Sequence, residues 1–574
     1  MEASACTRPS RSTIRGCGMD TKYGRENQTT DVLIIGGGVA GLTAAVSIKE
    51  RTPETDVLIV EKQTSGYSGK ANKGGGVLQY FDLSKIDPMQ FVAYHANAIG
   101  CFLGDQELMV KYVSMNNLML DKLVEWGARL PKNKDGSWNV IPTGPMTSMI
   151  GIDLDVTLKM RQTAERMGVK IIDKTAVSDL LTYNGKISGA TGFSILNGKF
   201  YTFNAKAVVL ASGSQNYRIG PMWSNGRGDG IAAAYRAGAE LRNPEFGNFA
   251  QLVKIRSHSE VVFGENFMYN DKGEHVTKNF REQREPDICS KAIREWYQQV
   301  QAGSPIHLRL EHHGPGLSKM FDRPYGTRFW ELNHDRPAAI DGDDMEVCPM
   351  LIGEQSPVKV GHDMQTTIPG LFAIGDVSYC GSAAPGAVPA PPGRNRGSGI
   401  LNAVFAGIMC AENAATVGGS AQQPAIDAEQ VQKSIERVYA PLERTEGVNA
   451  KEVIREVQRA VGPMENSVYM SGERIAKALE HVNKALEMSK TLMATDFHGL
   501  ISCHEAEAIV LSAQLLFLAA EMRKESRGWF LREDYPEMDN ENWLKWIIVK
   551  CVNGEMVLET EDVPYEKWPI KPPQ

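Results

Sequence analysis

The chain has 574 residues, a formal net charge of -7 at pH 7, 42% hydrophobic residues and 23% charged residues. That length needs more than one hydrophobic core, and the balance of apolar and charged residues is that of a soluble globular protein. The acidic net charge gives no footing for nucleic acid or an anionic membrane surface.

The nine cysteines (Cys6, Cys17, Cys101, Cys289, Cys348, Cys380, Cys410, Cys503 and Cys551) are scattered, with no C-x-x-C pair. This argues against a zinc site, an iron–sulfur cluster held by this chain and a disulfide framework. It fits reduced thiols in a cytoplasmic protein. The charge-free run Ala508–Ala520 is short for a membrane span, so no direct membrane insertion is expected.

Residues 1–30 carry Arg8, Arg11, Arg15 and Arg25 among Ser and Thr but have no apolar core. They are not a secretory signal; they read as a disordered tail, or Met19 is the true start. From Asp31 the pattern changes. Asp31–Ile35 is an apolar run with the look of a buried parallel strand, and Gly36, Gly38 and Gly41, with Val39 and Ala40 between, form G-x-G-x-x-G. The first glycine permits a tight turn, the second lets a pyrophosphate approach the backbone, and the third lets helix pack on strand. Leu42–Glu50 continues as a helix whose N-terminus faces that pyrophosphate. A second strand, Asp56–Val60, ends at Glu61, placed to accept hydrogen bonds from a ribose diol, with Lys62 next to it. Strand, glycines, helix, strand and terminal acid in register indicate a dinucleotide-binding unit.

Ser65–Tyr80 is rich in glycine, including Gly74 and Gly75, and allows backbone to approach a flat ligand. Residues 88–128 read as helices, with Leu108, Met109, Tyr112, Met115, Leu118 and Leu120 as a core stripe. Val156–Met167 is a helix and Val169–Ile172 a strand. Ala176–Thr182, Lys186–Ser194 and Phe200–Asn204, separated by Asn184-Gly185 and Asn197-Gly198, form an antiparallel meander. Ala207–Gly213 is a buried strand ending in small residues, and Asn225–Gly230 opens a helix over Ile231–Gly238.

The order G-x-G-x-x-G, strand-end Glu, meander, A-S-G, G-D-G and G-L-F-A-I-G-D resembles the FAD-binding part of the fumarate reductase / succinate dehydrogenase flavoproteins. That family includes L-aspartate oxidase and the adenylylsulfate reductase α subunit, and the likeness spans most of residues 31–545. It implies an α/β fold: a Rossmann-like FAD-binding domain of the glutathione-reductase type, an inserted α+β capping domain and a C-terminal helical domain. The implied boundaries are a tail over 1–30, FAD-binding parts over 31–244 and 359–425, a capping and substrate domain over 245–358, a helical domain over 426–550 and a C-terminal tail over 551–574. By resemblance, Gly36, Gly38, Val39, Ala40, Gly41, Glu61 and Lys62 serve the ADP part. Ser68, Gly74 and Gly75 follow in the glycine-rich segment. Ala176 and Val177 flank the adenine, Ala211, Ser212 and Gly213 cross the cofactor, and Asp229 sits near the dinucleotide. Gly375 and Asp376 reach the ribityl–pyrophosphate region, with Ser398 and Leu401 beyond. Several family members attach FAD through a histidine after the ribose acid. Ser68–Gly76 contains none, so FAD is expected to be non-covalent.

The catalytic pattern departs from the family. Its fumarate and succinate enzymes carry F-H-P-T after Glu-Phe; here the segment is EFGNFAQL, Glu245–Leu252, and Ala250 takes the histidine place. The second substrate histidine falls near Ile352, with Glu354 and Gln355 close by. The capping-domain proton donor has no secure match; Arg281, Arg284 and Lys291 lie near it. GRNRGSGIL, Gly393–Leu401, aligns Arg396 with the family's anion-binding arginine, with Arg394 as second candidate. His258 and His362 are candidates for acid/base work. Trp223 either stacks on the ligand or packs, and the Pro-rich Ala383–Pro392 is either a stiff surface loop or a pocket wall. A C4 dicarboxylate needs donors at both ends, so the loss of both histidines argues against fumarate, succinate and aspartate.

Glu525–Lys550 resembles the end of the family's helical domain, in wording nearest to adenylylsulfate reductase α. The expected function is hydride transfer through flavin N5 to or from an activated C=C bond of an organic acid or enone, a small-molecule substrate. The alternatives are an adenylylsulfate-reductase-like α subunit with a separate iron–sulfur partner, and a flavin electron-transfer subunit without its own substrate.

Overall fold

A computed structural model describes residues 22–72, 77–98, 100–142, 146–153, 155–219, 226–254, 268–276, 290–309, 345–379, 398–420, 422–528 and 530–573. Its centre is the strand Arg25–Ile35, which pairs in parallel with Val57–Val60 on one side and Phe200–Leu210 on the other. Val32, Leu33, Ile34 and Ile35 are buried, as expected for a parallel strand covered on both faces. Lys170–Ile172 extends the parallel part beyond Val57–Val60. Thr175–Tyr183, Lys186–Ser194 and Phe200–Leu210 form the antiparallel meander. Among the described residues this is one seven-stranded sheet, with Leu371–Ala373 joining in parallel beside Val208–Leu210. Phe200–Leu210 thus serves two pairings: its first half carries the meander and its second half receives the returning strand. The helices Val39–Arg51 and Ser398–Ser420 pack against each other and against this sheet.

Three expectations change here. Residues 25–30 are sheet rather than tail, because the polar run RENQTT forms a ladder with Phe200–Ala205 and lacks only the apolar signal of a buried strand. Phe200–Asn204 and Ala207–Gly213 are one strand that ends at Leu210; Asn204 stays in the ladder between Thr29 and Gly189. Leu118 points outward at 47% exposure, while Leu108, Met109, Tyr112 and Leu120 are core.

The chain leaves this domain after Leu241–Arg242 and builds an antiparallel sheet from Ala250–Lys254, Met345–Leu351, Ile306–Leu308 and Met268–Asn270. The amphipathic helix Ser290–Gln301 packs on it through the buried Trp296. This is the α+β cap. The C-terminal domain is helical: Ala428–Glu443, Ala450–Val461, Gly472–Ser489 and Phe497–Met522. Asp427, Asn449, Ser471 and Asp496 cap these helices through their side chains, each accepting from a first-turn N–H. Ile475 and Val482 are fully buried, with Leu479 and Leu486 at the margin of the same core. A hairpin, Lys545–Val552 with Glu555–Asp562, turns through Asn553 and Gly554, both at positive φ. It pairs with Leu241–Arg242, so the expected boundary at 550/551 cuts through a strand rather than between domains. Two helices, Gly399–Gly419 and Phe497–Met522, are long and apolar enough to cross a membrane by length and composition, and most of each is buried inside the fold.

Candidate active site at the carboxyl edge of the sheet

The carboxyl ends of the parallel strands meet at one edge, where ligands of such sheets bind. At Gly36 the chain turns with φ +113° and its N–H donates to Val60 O at 2.9 Å. A Cβ there would lie 2.4 Å from Ala211 O, and one at Gly41 would lie 2.0 Å from Gly36 O. Gly38, by contrast, faces open space, and no side chain caps the helix that starts at Val39. Its first-turn N–H groups are therefore available to an anion. The returning strand reaches the same place: a Cβ on Gly375 would meet Ala40 Cβ at 2.8 Å.

Glu61 is buried at the end of the second strand. Its carboxylate accepts from Gly37 N at 2.8 Å, Gln63 N at 2.7 Å and Ser68 Oγ at 3.1 Å, joining the glycine turn to the segment that follows. Thr175 N donates to Glu61 O at 3.0 Å, which brings Ala176 and Val177 alongside.

Two charge clusters flank this turn. In the first, Lys62 Nζ lies 2.5 Å from Asp229 and 3.0 Å from Glu505. Arg218 also pairs with Glu505, and Arg227 Nε approaches it at 3.4 Å. Burial pushes the Glu505 carboxyl up, but Lys62, Arg227 and Arg218 outweigh it and hold the group below its ordinary value. Burial likewise opposes the charge on Lys62, yet Asp229 and Glu505 keep its pKa above the usual lysine value. Cations exceed carboxylates by one, a balance suited to an anionic ligand.

In the second cluster, Lys70 Nζ donates to Ser214 Oγ at 2.8 Å, Glu354 Oε1 at 3.0 Å and Asp376 Oδ2 at 3.0 Å. Its pKa is also raised, because the two carboxylates outweigh burial. Asp376 is delivered by the buried strand Leu371–Ala373 and the turn Gly375–Val377. Beside this cluster Ser212 Oγ is buried without a hydrogen-bond partner among the described residues, and Gly213, at φ +80°, faces open space.

These features fit FAD. Open backbone lies at Gly38 and Gly213, an unsatisfied hydroxyl at Ser212, carboxylates at Glu61 and Asp376, and an uncapped helix N-terminus where a pyrophosphate needs one. The structure thus brings together Gly36, Gly38, Val39, Ala40, Gly41, Glu61, Lys62, Ser68, Ala211, Ser212, Gly213, Asp229, Gly375 and Asp376. Leu401 is fully buried on the helix Ser398–Ser420.

At the cap the two expected histidine positions adjoin each other. Ala250 pairs with Leu351, Ile352 N donates to Phe249 O at 2.8 Å, and both Ala250 and Ile352 are buried. His362 is elsewhere: it contacts Asp105 at 2.6 Å, the residue that caps the helix Gln106–Ser114, and is partly exposed. Gly74, Gly75, Trp223, His258, Arg281, Arg284, Ala383–Pro392, Arg394 and Arg396 lie outside the described residues, as do the side chains of Lys291 and Ser398.

Sequence reasoning missed Lys70, Ser214, Arg218, Arg227 and Glu505 as site residues. Glu505 had a signal, a carboxylate on the buried face of a helix that is otherwise nearly all apolar. Lys70 had none beyond its place in the glycine-rich segment.

The fold and this edge define an FAD-binding flavoprotein oxidoreductase. Comparison with known proteins agrees: the family described as "FAD binding domain" matches residues 31–387, and "Fumarate reductase flavoprotein C-term" matches residues 459–574. The chain belongs to the FAD-dependent oxidoreductases of the fumarate reductase / succinate dehydrogenase family. It is 26% identical to the 8-methylmenaquinol:fumarate reductase flavoprotein subunit of Wolinella succinogenes, over 94% of this chain and 92% of that one. It is 25% identical to the L-aspartate oxidase of Streptomyces coelicolor, over 93% and 94% of the two chains. Its fold is similar to that of a chain of E. coli quinol fumarate reductase (TM-score 0.80, 20% identity, 96% and 99% covered). It is also similar to adenylylsulfate reductase from Archaeoglobus fulgidus (TM-score 0.76, 21% identity, 94% and 96% covered).

Proposed function

We propose that this flavoprotein reduces an activated C=C bond of an organic acid or enone other than fumarate, or runs the reverse dehydrogenation. The observation that carries this reading is the apolar pair Ala250 and Ile352. They stand where the family's fumarate enzymes would place imidazoles, and neither can hydrogen-bond a second carboxylate. FAD, when bound, supplies the centre that gives or takes a hydride.

The chain's own groups divide the remaining work. The helix N-terminus after Gly38 neutralises the pyrophosphate, Glu61 accepts from the ribose, and Lys62 with Asp229 borders the dinucleotide. Ser212, Gly213 and Asp376 serve the flavin half. Arg396, with Arg394 second, holds an anionic group of the substrate. Arg284, Lys291 and His258 are the proton-donor candidates of the cap, which excludes water from the reacting carbon. FAD is held non-covalently, since Ser68–Gly76 offers no histidine.

Several relatives are named as subunits, which supports an electron-transfer partner, an iron–sulfur protein being the proposed kind. The fold likeness to adenylylsulfate reductase supports a second reading, an α subunit acting on a nucleotide-linked sulfur group.

The test is anaerobic photoreduction of the purified flavoprotein, followed by a panel of 2-enoates, enones, fumarate and adenylylsulfate. Reoxidation by an enoate or enone supports the first reading and reoxidation kinetics specific to adenylylsulfate chemistry the second. No response from any compound at full flavin content contradicts both and leaves an electron-transfer subunit.

A further inference from the structure

The Lys70 ammonium joins three segments that meet at the carboxyl edge of the sheet, through Ser214, Glu354 and Asp376. Ser214 follows the strand Phe200–Leu210, Asp376 follows Leu371–Ala373, and Glu354 follows Met345–Leu351, the last strand of the cap. Its side chain is about one-fifth exposed, and Glu354 is almost fully buried at 2%. A cation between two carboxylates in a mostly buried site offsets part of the cost of their charge, and Lys70 Nζ stands within 3.0 Å of both Glu354 and Asp376. Removing the Lys70 ammonium takes one positive charge away from beside Glu354 and Asp376.

We propose that Lys70 is a positioning residue that ties the cap's exit to the flavin edge of the sheet, and that its charge raises the reduction potential of the FAD bound there. Reduction adds negative charge to the flavin, so a fixed cation favours the reduced form and uncompensated carboxylates oppose it. The same logic applies to Glu354 with the opposite sign. This inference rests on the FAD site described above, and it is independent of the substrate.

The experiment is redox titration of the bound FAD with a dye of known potential, in the wild type and in K70M, E354Q, K70R and K70M/E354Q. The midpoint potential of K70M is expected to fall by at least about 30 mV, a tenfold change in the two-electron equilibrium constant. E354Q should move it upward, K70R should leave it near wild type, and K70M/E354Q should return it toward wild type because the cluster regains its net charge. If K70M loses FAD, its recovery in K70M/E354Q supports the proposal by the same charge balance. Potentials that are unchanged in both K70M and E354Q at full flavin content overturn it, as does a double variant that behaves no better than K70M. A failure of the substrate panel would leave these potentials untouched, so the two readings fail separately.

Discussion

Arg523 Nε donates to Glu245 Oε1 at 2.8 Å, and both side chains are fully buried. Glu245 is where the chain enters the cap, and Arg523 follows the long helix Phe497–Met522 of the C-terminal domain. The bridge continues inward. Arg523 Nη1 also meets Glu525 at 2.7 Å, and Arg527 closes on Glu525 at 2.8 Å and on Cys101 O at 2.7 Å. Two arginines and two glutamates thus lock the cap's entry to the helical domain and to the loop around Cys101. Even so, burial pushes the Glu245 carboxyl above its ordinary value.

Removing one partner leaves a buried charge unpaired. R523M is expected to destabilise the protein by about 3–5 kcal/mol, measured by urea unfolding, while an E245L/R523M variant that removes both charges costs less than R523M alone. Equal or greater loss in the double variant would show that packing around Phe246 and Trp543, rather than charge, governs the region.

His95 sets a pH dependence. It is buried, and burial lowers its pKa from 6.5 to about 3. The unfolded chain binds the proton first as pH falls below 6.5, so the folded state loses stability from there down to about pH 3 and gains none above pH 6.5. At pH 5 the loss is about 2 kcal/mol, from about 1.4 kcal/mol per pH unit. An H95N variant should show a flatter stability profile between pH 6.5 and 4 in denaturant titrations. An unchanged slope would mean that the ring is protonated in the fold.

Asp179 works in the same direction at lower pH. Arg236 and Arg437 hold its carboxyl well below the usual range despite burial, and Ser434 donates to it at 2.7 Å. Stability from this group is present above its unfolded value near 4 and is lost as pH falls below that value. D179N should therefore cost about 3–5 kcal/mol at pH 7 and about 1 kcal/mol less near pH 3, the remainder fading only as pH falls further toward the depressed folded value. Equal costs at both pH values would exclude the ionic contribution.

The glycine turn makes a sharp prediction for flavin content. G41A forces a Cβ to within 2.0 Å of a backbone oxygen, so it should yield protein with little FAD, whereas G38A, facing open space, should disturb the unliganded fold little and act on FAD affinity alone. E61Q should weaken FAD binding about tenfold or more, as expected for loss of a charged acceptor. Fluorescence titration of the deflavinated protein reads each case. Acid precipitation should release the flavin into the supernatant, and flavin retained on the polypeptide would refute non-covalent binding.

The parts of this site legible in the sequence are those fixed by backbone geometry. Gly36, Gly38, Gly41 and Glu61 lie on one strand–turn–helix–strand unit, where local pattern determines their place, and Asp376 was reached through the resemblance of GLFAIGD to the family. Arg25–Thr30 was not legible as a strand because its partner, Phe200–Ala205, is far along the chain and its own residues are polar. Lys70 and Glu505 were not legible as site residues because each meets its partners across hundreds of positions, and Glu354 was noted near the substrate end without its link to Lys70. Such contacts follow from domain packing, which no local spacing reveals. His362 looked functional through residue type alone, and packing sends it to Asp105 instead.

The central claim is most directly tested by rapid anaerobic mixing of the reduced flavoprotein with fumarate and, separately, with the most reactive enoate or enone of the panel. The absence of polar side chains at Ala250 and Ile352 predicts flavin reoxidation by the enoate or enone at least a hundredfold faster than by fumarate at equal concentration, about 3 kcal/mol of discrimination. Equal or faster reoxidation by fumarate would contradict it.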